Sequence, residues 1–152
     1  MQTDLILIHG RRGSGKSTLS GFLRLLIRKA ACCEKNWNCE EIKTYPGMNL
    51  VPIVFDIKEQ HRVRGTRRLT IIVPDTPVKF VDSWPGHSLK VMLCCEEHLR
   101  QERGSHRPDF TQFKTPSTTI DSSHLFDMVL DSSHTGAPVL AAKILSNPYL
   151  SR

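Results

Sequence analysis

Residues 5–31 constrain this chain more than any other stretch. Leu5-Ile6-Leu7-Ile8-His9 is a continuous apolar run, the pattern of a strand buried on both faces. A glycine-rich turn follows it. Leu19, Phe22, Leu23, Leu26, Ile27 and Ala30 then recur at helical spacing, which predicts an amphipathic helix from about Ser17 to Ala31.

The rest of the chain repeats this alternation. Glu40 to Tyr45 reads as a short strand, and Leu50 to Ile57 as strand-like, although Pro52 weakens it. Leu69 to Val73 is a second buried strand, closed by Pro74-Asp75, and Val78 to Trp84 reads as a short helix ended by Pro85-Gly86. Leu89 to Cys94 is a third buried strand, Glu96 to Arg103 a charged helix, and Leu125 to Leu130 a fourth strand. Ala137 to Leu145 is a closing helix, with Pro138 tolerated in its first turn. Gly104 to Ser123 is rich in Ser, Thr and Pro and reads as a mobile loop. Strands alternating with helices predict an α/β fold with a largely parallel sheet, whose ligands bind at the carboxyl ends of the strands.

Length and composition set the outer bounds. A chain of 152 residues suggests one domain, and 39% apolar with 24% charged residues fits a globular protein. No apolar run approaches the ~20 residues that span a bilayer, and Met1-Gln2-Thr3-Asp4 has no basic n-region. Membrane-spanning, collagen and coiled-coil readings are thereby set aside. Five cysteines, an odd number, are expected to be reduced and buried or inert in an intracellular compartment. The net charge of +6 favours anionic partners. Its short clusters (Arg11-Arg12, Arg62 to Arg68, Arg100 to Arg107) suit a phosphate site better than a nucleic-acid-binding tail.

Gly10-Arg11-Arg12-Gly13-Ser14-Gly15-Lys16-Ser17 fits the pattern G-x-x-x-x-G-K-[ST]. Chance produces such a match in roughly one chain in 200 of this length, and the strand before it and helix after it lower that further. Glycines let backbone N–H groups converge on phosphate oxygens, and the following helix N-terminus adds its dipole. The expected nucleotide-binding set is Gly10, Arg11, Arg12, Gly13, Ser14, Gly15, Lys16, Ser17 and Thr18. In it Lys16 reaches the β- and γ-phosphates of ATP and Ser17 binds Mg²⁺. No Asn-Lys-x-Asp element is present, which disfavours a GTPase.

Such a loop calls for a carboxylate at the end of a neighbouring strand, to hold Mg²⁺ or its water. Asp75 and Asp56 both follow apolar runs, and Asp75 is preferred because its strand is cleaner; a turn or helix cap is its ordinary alternative. Arg100 and Arg103 lie three apart on one helical face, and Arg107 lies beyond them. Cations delivered after the third strand suit charge neutralisation in phosphoryl transfer, against the plainer reading of a solvated helix. Arg67 and Arg68 could line an acceptor-phosphate site or simply solvate a hairpin. The seven histidines show no triad or metal spacing, and each reads as structural or exposed.

Leu7 to Lys16, Ile71 to Thr76, Asp127 to Leu130 and Leu99 to Gly104 together resemble the small P-loop kinases of monophosphates. They are most similar to the deoxynucleoside monophosphate kinases of T4-type bacteriophages, and more remotely to animal phosphomevalonate kinase. The resemblance implies a three-layer P-loop NTPase sandwich around a mainly parallel five-stranded sheet with helices on both faces. It implies one kinase domain over residues 1–152, with an acceptor-binding region at about 38–68 that is shorter than in relatives and a lid-like segment at about 99–123. It further implies ATP and Mg²⁺ as cofactors and transfer of a phosphoryl group to a (deoxy)nucleoside monophosphate. The roles implied are Lys16, Arg100, Arg103 and Asp75 in catalysis, Ser17 and Asp75 at the metal, and Arg67, Arg68 and Arg107 at the acceptor. Pro77 stands where relatives carry an arginine. A viral source, a homodimer, a metabolite kinase and a catalytically weak nucleotide-binding protein stay open on this reading; specific nucleic-acid binding is not expected.

Overall fold

The structure is a computed structural model. It describes residues 3–11, 13–31, 37–43, 67–73, 87–104 and 126–148, with the single positions 52, 55, 56 and 59. Five strands form one sheet: β1 (Thr3–Gly10), β2 (Trp37–Lys43), β3 (Arg67–Val73), β4 (His87–Cys94) and β5 (Met128–Asp131). Their order is β2-β3-β1-β4-β5, and every pairing is parallel. Three helices follow strands: α1 (Lys16–Ala31), α2 (Glu97–Gly104) and α3 (Ala137–Leu145). This is the expected α/β class, with its five parallel strands.

The run Leu5–Ile8 explains why β1 lies at the centre. All four side chains are fully buried, which only a strand covered on both faces achieves. Ile6 and Ile8 join Leu19, Leu23 and Ile27 of α1 and Leu140, Ala141 and Ile144 of α3 in the larger core. Leu5 and Leu7, half a pleat away, pack with Ile72 and Ile42 on the other face. Burying one such side chain is worth about 1.5–3 kcal/mol, so β1 is the anchor for the loop that leaves it.

Besides strand and helix ends that shift by one to three residues, the structure adds to or departs from the sequence reading as follows. Pro52, Phe55 and Asp56, within the stretch read as strand-like, are helical, as is Glu59. Proline has no N–H for a sheet ladder but is accepted in a first helical turn. Strand β5 starts three residues later than Leu125, at Met128. Asp127 instead closes onto β4, its N–H donating to Lys90 O at 2.9 Å and its Oδ2 accepting from Lys90 N at 2.8 Å. The cysteines were expected to be buried or inert; Cys94 is exposed at the end of β4, and Cys95 is half-buried. Burial and the Asp131 carboxylate push the Cys94 thiol pKa up, so the exposed thiol is not an activated one. The helix expected over Val78–Trp84 and the loop over Gly104–Ser123 lie outside the described residues, apart from Gly104 itself. No described helix is long and apolar enough to cross a membrane.

Candidate phosphate-binding site

The loop leaving β1 is shaped by close approach. A Cβ on Gly10 would lie 2.6 Å from Leu93 O and 2.7 Å from Ser14 Oγ, so only glycine fits against β4. Gly13 and Gly15 have φ of 80° and 94°, a region that L side chains rarely adopt. Ser14 N donates to Arg11 O at 3.1 Å, closing the turn, and Leu19 N donates to Gly15 O at 2.9 Å, opening α1. The first-turn amides of α1 therefore lie where the loop ends, a place suited to anions.

Two side chains of this loop stand out. Lys16 Nζ folds back to donate to Gly10 O, which keeps the ammonium over the loop. Ser14 is buried, and its Oγ has no hydrogen-bond partner among the described residues. A buried hydroxyl without a partner is costly, and here it sits in a glycine loop beside a lysine, where a phosphate oxygen would satisfy it. Ser17 and Thr18 open α1 and are exposed. The hydroxyl of Ser17 thus lies outside the core.

Helix α2 brings its arginines to the loop in different ways. Arg103 Nη1 lies 3.9 Å from the position a Cβ on Gly15 would occupy. Its Nη2 donates to Ser132 O at 2.8 Å, and its Nη1 reaches Ser132 Oγ and Cys95 Sγ, each at 3.4 Å. Arg100 is buried, and its Nε and Nη2 both donate to the Glu97 carboxylate. That carboxylate also accepts from Arg11 Nη1 at 3.4 Å and from Gln101 Nε2 at 3.2 Å. These contacts hold the Glu97 pKa below the usual carboxylate range, the Arg100 hydrogen bond foremost.

Two site residues escaped the sequence reading. Ser132, buried just past β5, donates from Oγ to Ser14 O at 2.6 Å. Its N–H donates to Cys94 O at 2.8 Å, so one residue joins the loop to the ends of β4 and β5. Its position after a strand was the available signal, since ligands in such sheets gather at strand ends. His9, the last side chain of β1 before Gly10, is buried edge-on against Phe126, with ring centroids 5.1 Å apart. Desolvation, aided by the charges of Lys16 and Lys90, lowers its pKa to about 4. The imidazole beside the loop is therefore neutral at physiological pH.

The remaining expected residues are placed unevenly. Arg67 and Arg68 open β3, in register with Trp37 and Asn38 at the amino end of the sheet. The seven residues from Arg67 to Val73 span about 20 Å of strand, and the loop lies at the opposite, carboxyl end. The fold thus separates these two backbone positions from the phosphate loop, because a parallel strand cannot present both ends to one site. Arg12, Asp75 and Arg107 lie outside the described residues; Asp75 follows Val73 by two positions in the sequence, and β3 pairs directly with β1.

The fold is shared with several solved structures, kinases among them. The Mycobacterium tuberculosis APS kinase, solved with AMPPNP and APS, superposes with a TM-score of 0.61 at 12% identity, covering 95% of this chain and 96% of that one. A sugar kinase from Janibacter sp. superposes at 0.56 with 16% identity, covering 95% and 93%. A Chaetomium thermophilum protein in complex with ADP–AlF3 superposes at 0.54 with 15% identity, covering 92% and 96%. No protein-family model matches the chain, and no curated protein matches it in sequence.

Proposed function

We propose that the chain is an ATP-dependent phosphotransferase whose acceptor is a (deoxy)nucleoside monophosphate, converted to the diphosphate. The observation that carries this reading is the placement of Arg103 beside Gly15 of the phosphate loop, the same loop over which Lys16 folds back to Gly10 O. Two cations thus border one glycine loop. Phosphoryl transfer needs little covalent chemistry from a protein; it needs positioning and neutralised charge.

The residues divide the work by their geometry. Gly13 and Gly15 let the backbone turn its amides to the phosphates, and Ser14 Oγ adds a buried donor. Lys16 exchanges Gly10 O for phosphate oxygens. Ser17, with Asp75 beyond β3, would hold Mg²⁺, which when bound neutralises phosphate charge. Arg103 meets the charge that builds up between donor and acceptor oxygens. The structural neighbours include an APS kinase and a sugar kinase, so an acceptor carrying a hydroxyl or a phosphate suits the fold. The resemblance of the Leu7–Lys16 and Ile71–Thr76 segments favours a nucleoside monophosphate among these.

A coupled ADP-release assay tests the reading with ATP, Mg²⁺ and a panel of ribo- and deoxynucleoside monophosphates plus phosphomevalonate. Acceptor-dependent ADP release that disappears in Lys16→Ala supports the kinase and names its substrate. ATP binding without acceptor-dependent release across the panel would replace it with a nucleotide-binding role.

A further inference from the structure

The contacts of α2 separate its two arginines. Arg100 is the largest fully buried side chain among the described residues, and its guanidinium donates twice to Glu97. Arg103, one turn further on, holds Ser132 and borders Gly15. Glu97 itself stands in the first turn of α2, where a carboxylate also suits the helix dipole. It receives Arg11, the second residue of the phosphate loop, from 86 positions earlier in the chain.

We propose that Glu97 is a positioning residue, whose carboxylate joins Arg11 of the phosphate loop to the buried Arg100 of α2 and so sets Arg103 against Gly15. The inference deepens the phosphotransferase reading and rests on it for its kinetic part. On this view Arg100 is a strut that never leaves Glu97, and Arg103 alone of the pair meets phosphate. The Arg11 contact is the one that crosses from the loop to α2, and the two Arg100 bonds, made within the helix, hold the Glu97 carboxylate in rotation as well as distance so that it meets Arg11 in one orientation. Salt weakens the exposed Arg11–Glu97 side more than the buried Arg100–Glu97 side.

Hydrogen exchange on the nucleotide-free protein tests the clamp without reference to any activity. Wild type, Glu97→Gln, Arg11→Gln and the double variant are compared at the amides of α2 and of residues 13–19. The expected result is about tenfold faster exchange in each single variant, with the double no faster than the worse single. Unchanged exchange of α2 in both single variants would overturn the proposal. Kinetics supply the second arm. Glu97→Gln should lower kcat about 10–100-fold while ATP affinity moves less than about threefold, and Glu97→Asp should restore part of kcat. Glu97→Gln should add little to the defect of Arg103→Ala, because both act through the same guanidinium. Equal losses of kcat and ATP affinity, or full additivity with Arg103→Ala, would overturn it as well. A wild-type protein that binds ATP yet shows no acceptor-dependent turnover would count against the phosphotransferase reading, and the exchange arm would still decide the clamp.

Discussion

Ser132 Oγ donates to Ser14 O at 2.6 Å while Ser132 O accepts from Arg103 Nη2 at 2.8 Å. One buried residue past β5 thus holds the phosphate loop with its side chain and the α2 arginine with its backbone. Ser132→Ala removes the first contact, together with the longer Arg103 Nη1–Oγ contact at 3.4 Å, and leaves the second. It should cost about 1–2 kcal/mol in urea unfolding, the value of a buried hydrogen bond. ATP affinity should fall while the Arg103→Ala defect keeps its full size in the Ser132→Ala background. Loss of the Arg103 effect in that background would show that the two contacts are not separable.

Arg103→Ala should lower the transfer rate far more than it weakens ATP binding. Removing a cation that acts on the transition state costs about 100-fold or more in kcat. Steady-state kinetics beside a fluorescent-nucleotide titration separates the two. Equal losses in both would assign Arg103 to ground-state binding.

Lys16→Ala should abolish turnover and leave the fold intact. The ammonium donates to Gly10 O, a contact at the surface of the loop rather than in the core, so unfolding free energy should change by about 1 kcal/mol. A large drop in thermal midpoint would contradict this division between chemistry and stability.

Two glycines give opposite expectations. Gly10→Ala drives a methyl group to 2.6 Å from Leu93 O and should cost about 1–3 kcal/mol, the penalty for overpacking, together with nucleotide binding. Gly21, in the middle of α1, has nothing within 4 Å of an added Cβ. Gly21→Ala should therefore gain about 0.8–1 kcal/mol from helix propensity. Paired urea melts check both signs.

His9 predicts an acid-side loss of stability. Its folded pKa is lowered to about 4 from 6.5, so between these values the unfolded chain binds the proton and the folded one does not. This contribution is intact above pH 6.5, declines as pH falls towards 4, and is constant below that. The span corresponds to about 3 kcal/mol at most. In His9→Gln the slope of unfolding free energy between pH 6.5 and 4.5 should be shallower than in wild type. Identical slopes would remove His9 as the cause.

The strands and helices nearest the phosphate loop were legible because their signals are local. The Leu5–Ile8 run, the α1 periodicity and Pro138 in the first turn of α3 each carry their own warrant, and α3 spans Ala137–Leu145 as read. The Gly10–Ser17 loop was legible because its glycines must be glycines. What the sequence could not order was side-chain traffic between distant elements. Arg100 and Arg103 look equivalent at a spacing of three, and only the long-range partners Glu97–Arg11 and Ser132 tell them apart. Arg67 and Arg68 read by charge alone as either acceptor-phosphate ligands or a solvated hairpin, and only the pairing of β3 shows that their backbone lies at the amino end of the sheet. Ser132 gave no signal beyond its place after a strand.

The strand order also bears on how the chain is made. β1 is synthesised before either of its neighbours in the sheet, β3 and β4. At about 5–20 residues per second, the interval between the end of β1 at Gly10 and the start of β3 at Arg67 is several seconds. During that time the most apolar segment near the amino end has no ladder to join. Nascent Leu5–Ile8 must therefore be sheltered, by the ribosome exit tunnel, by early collapse onto α1 or by a chaperone, before the central strand can be paired.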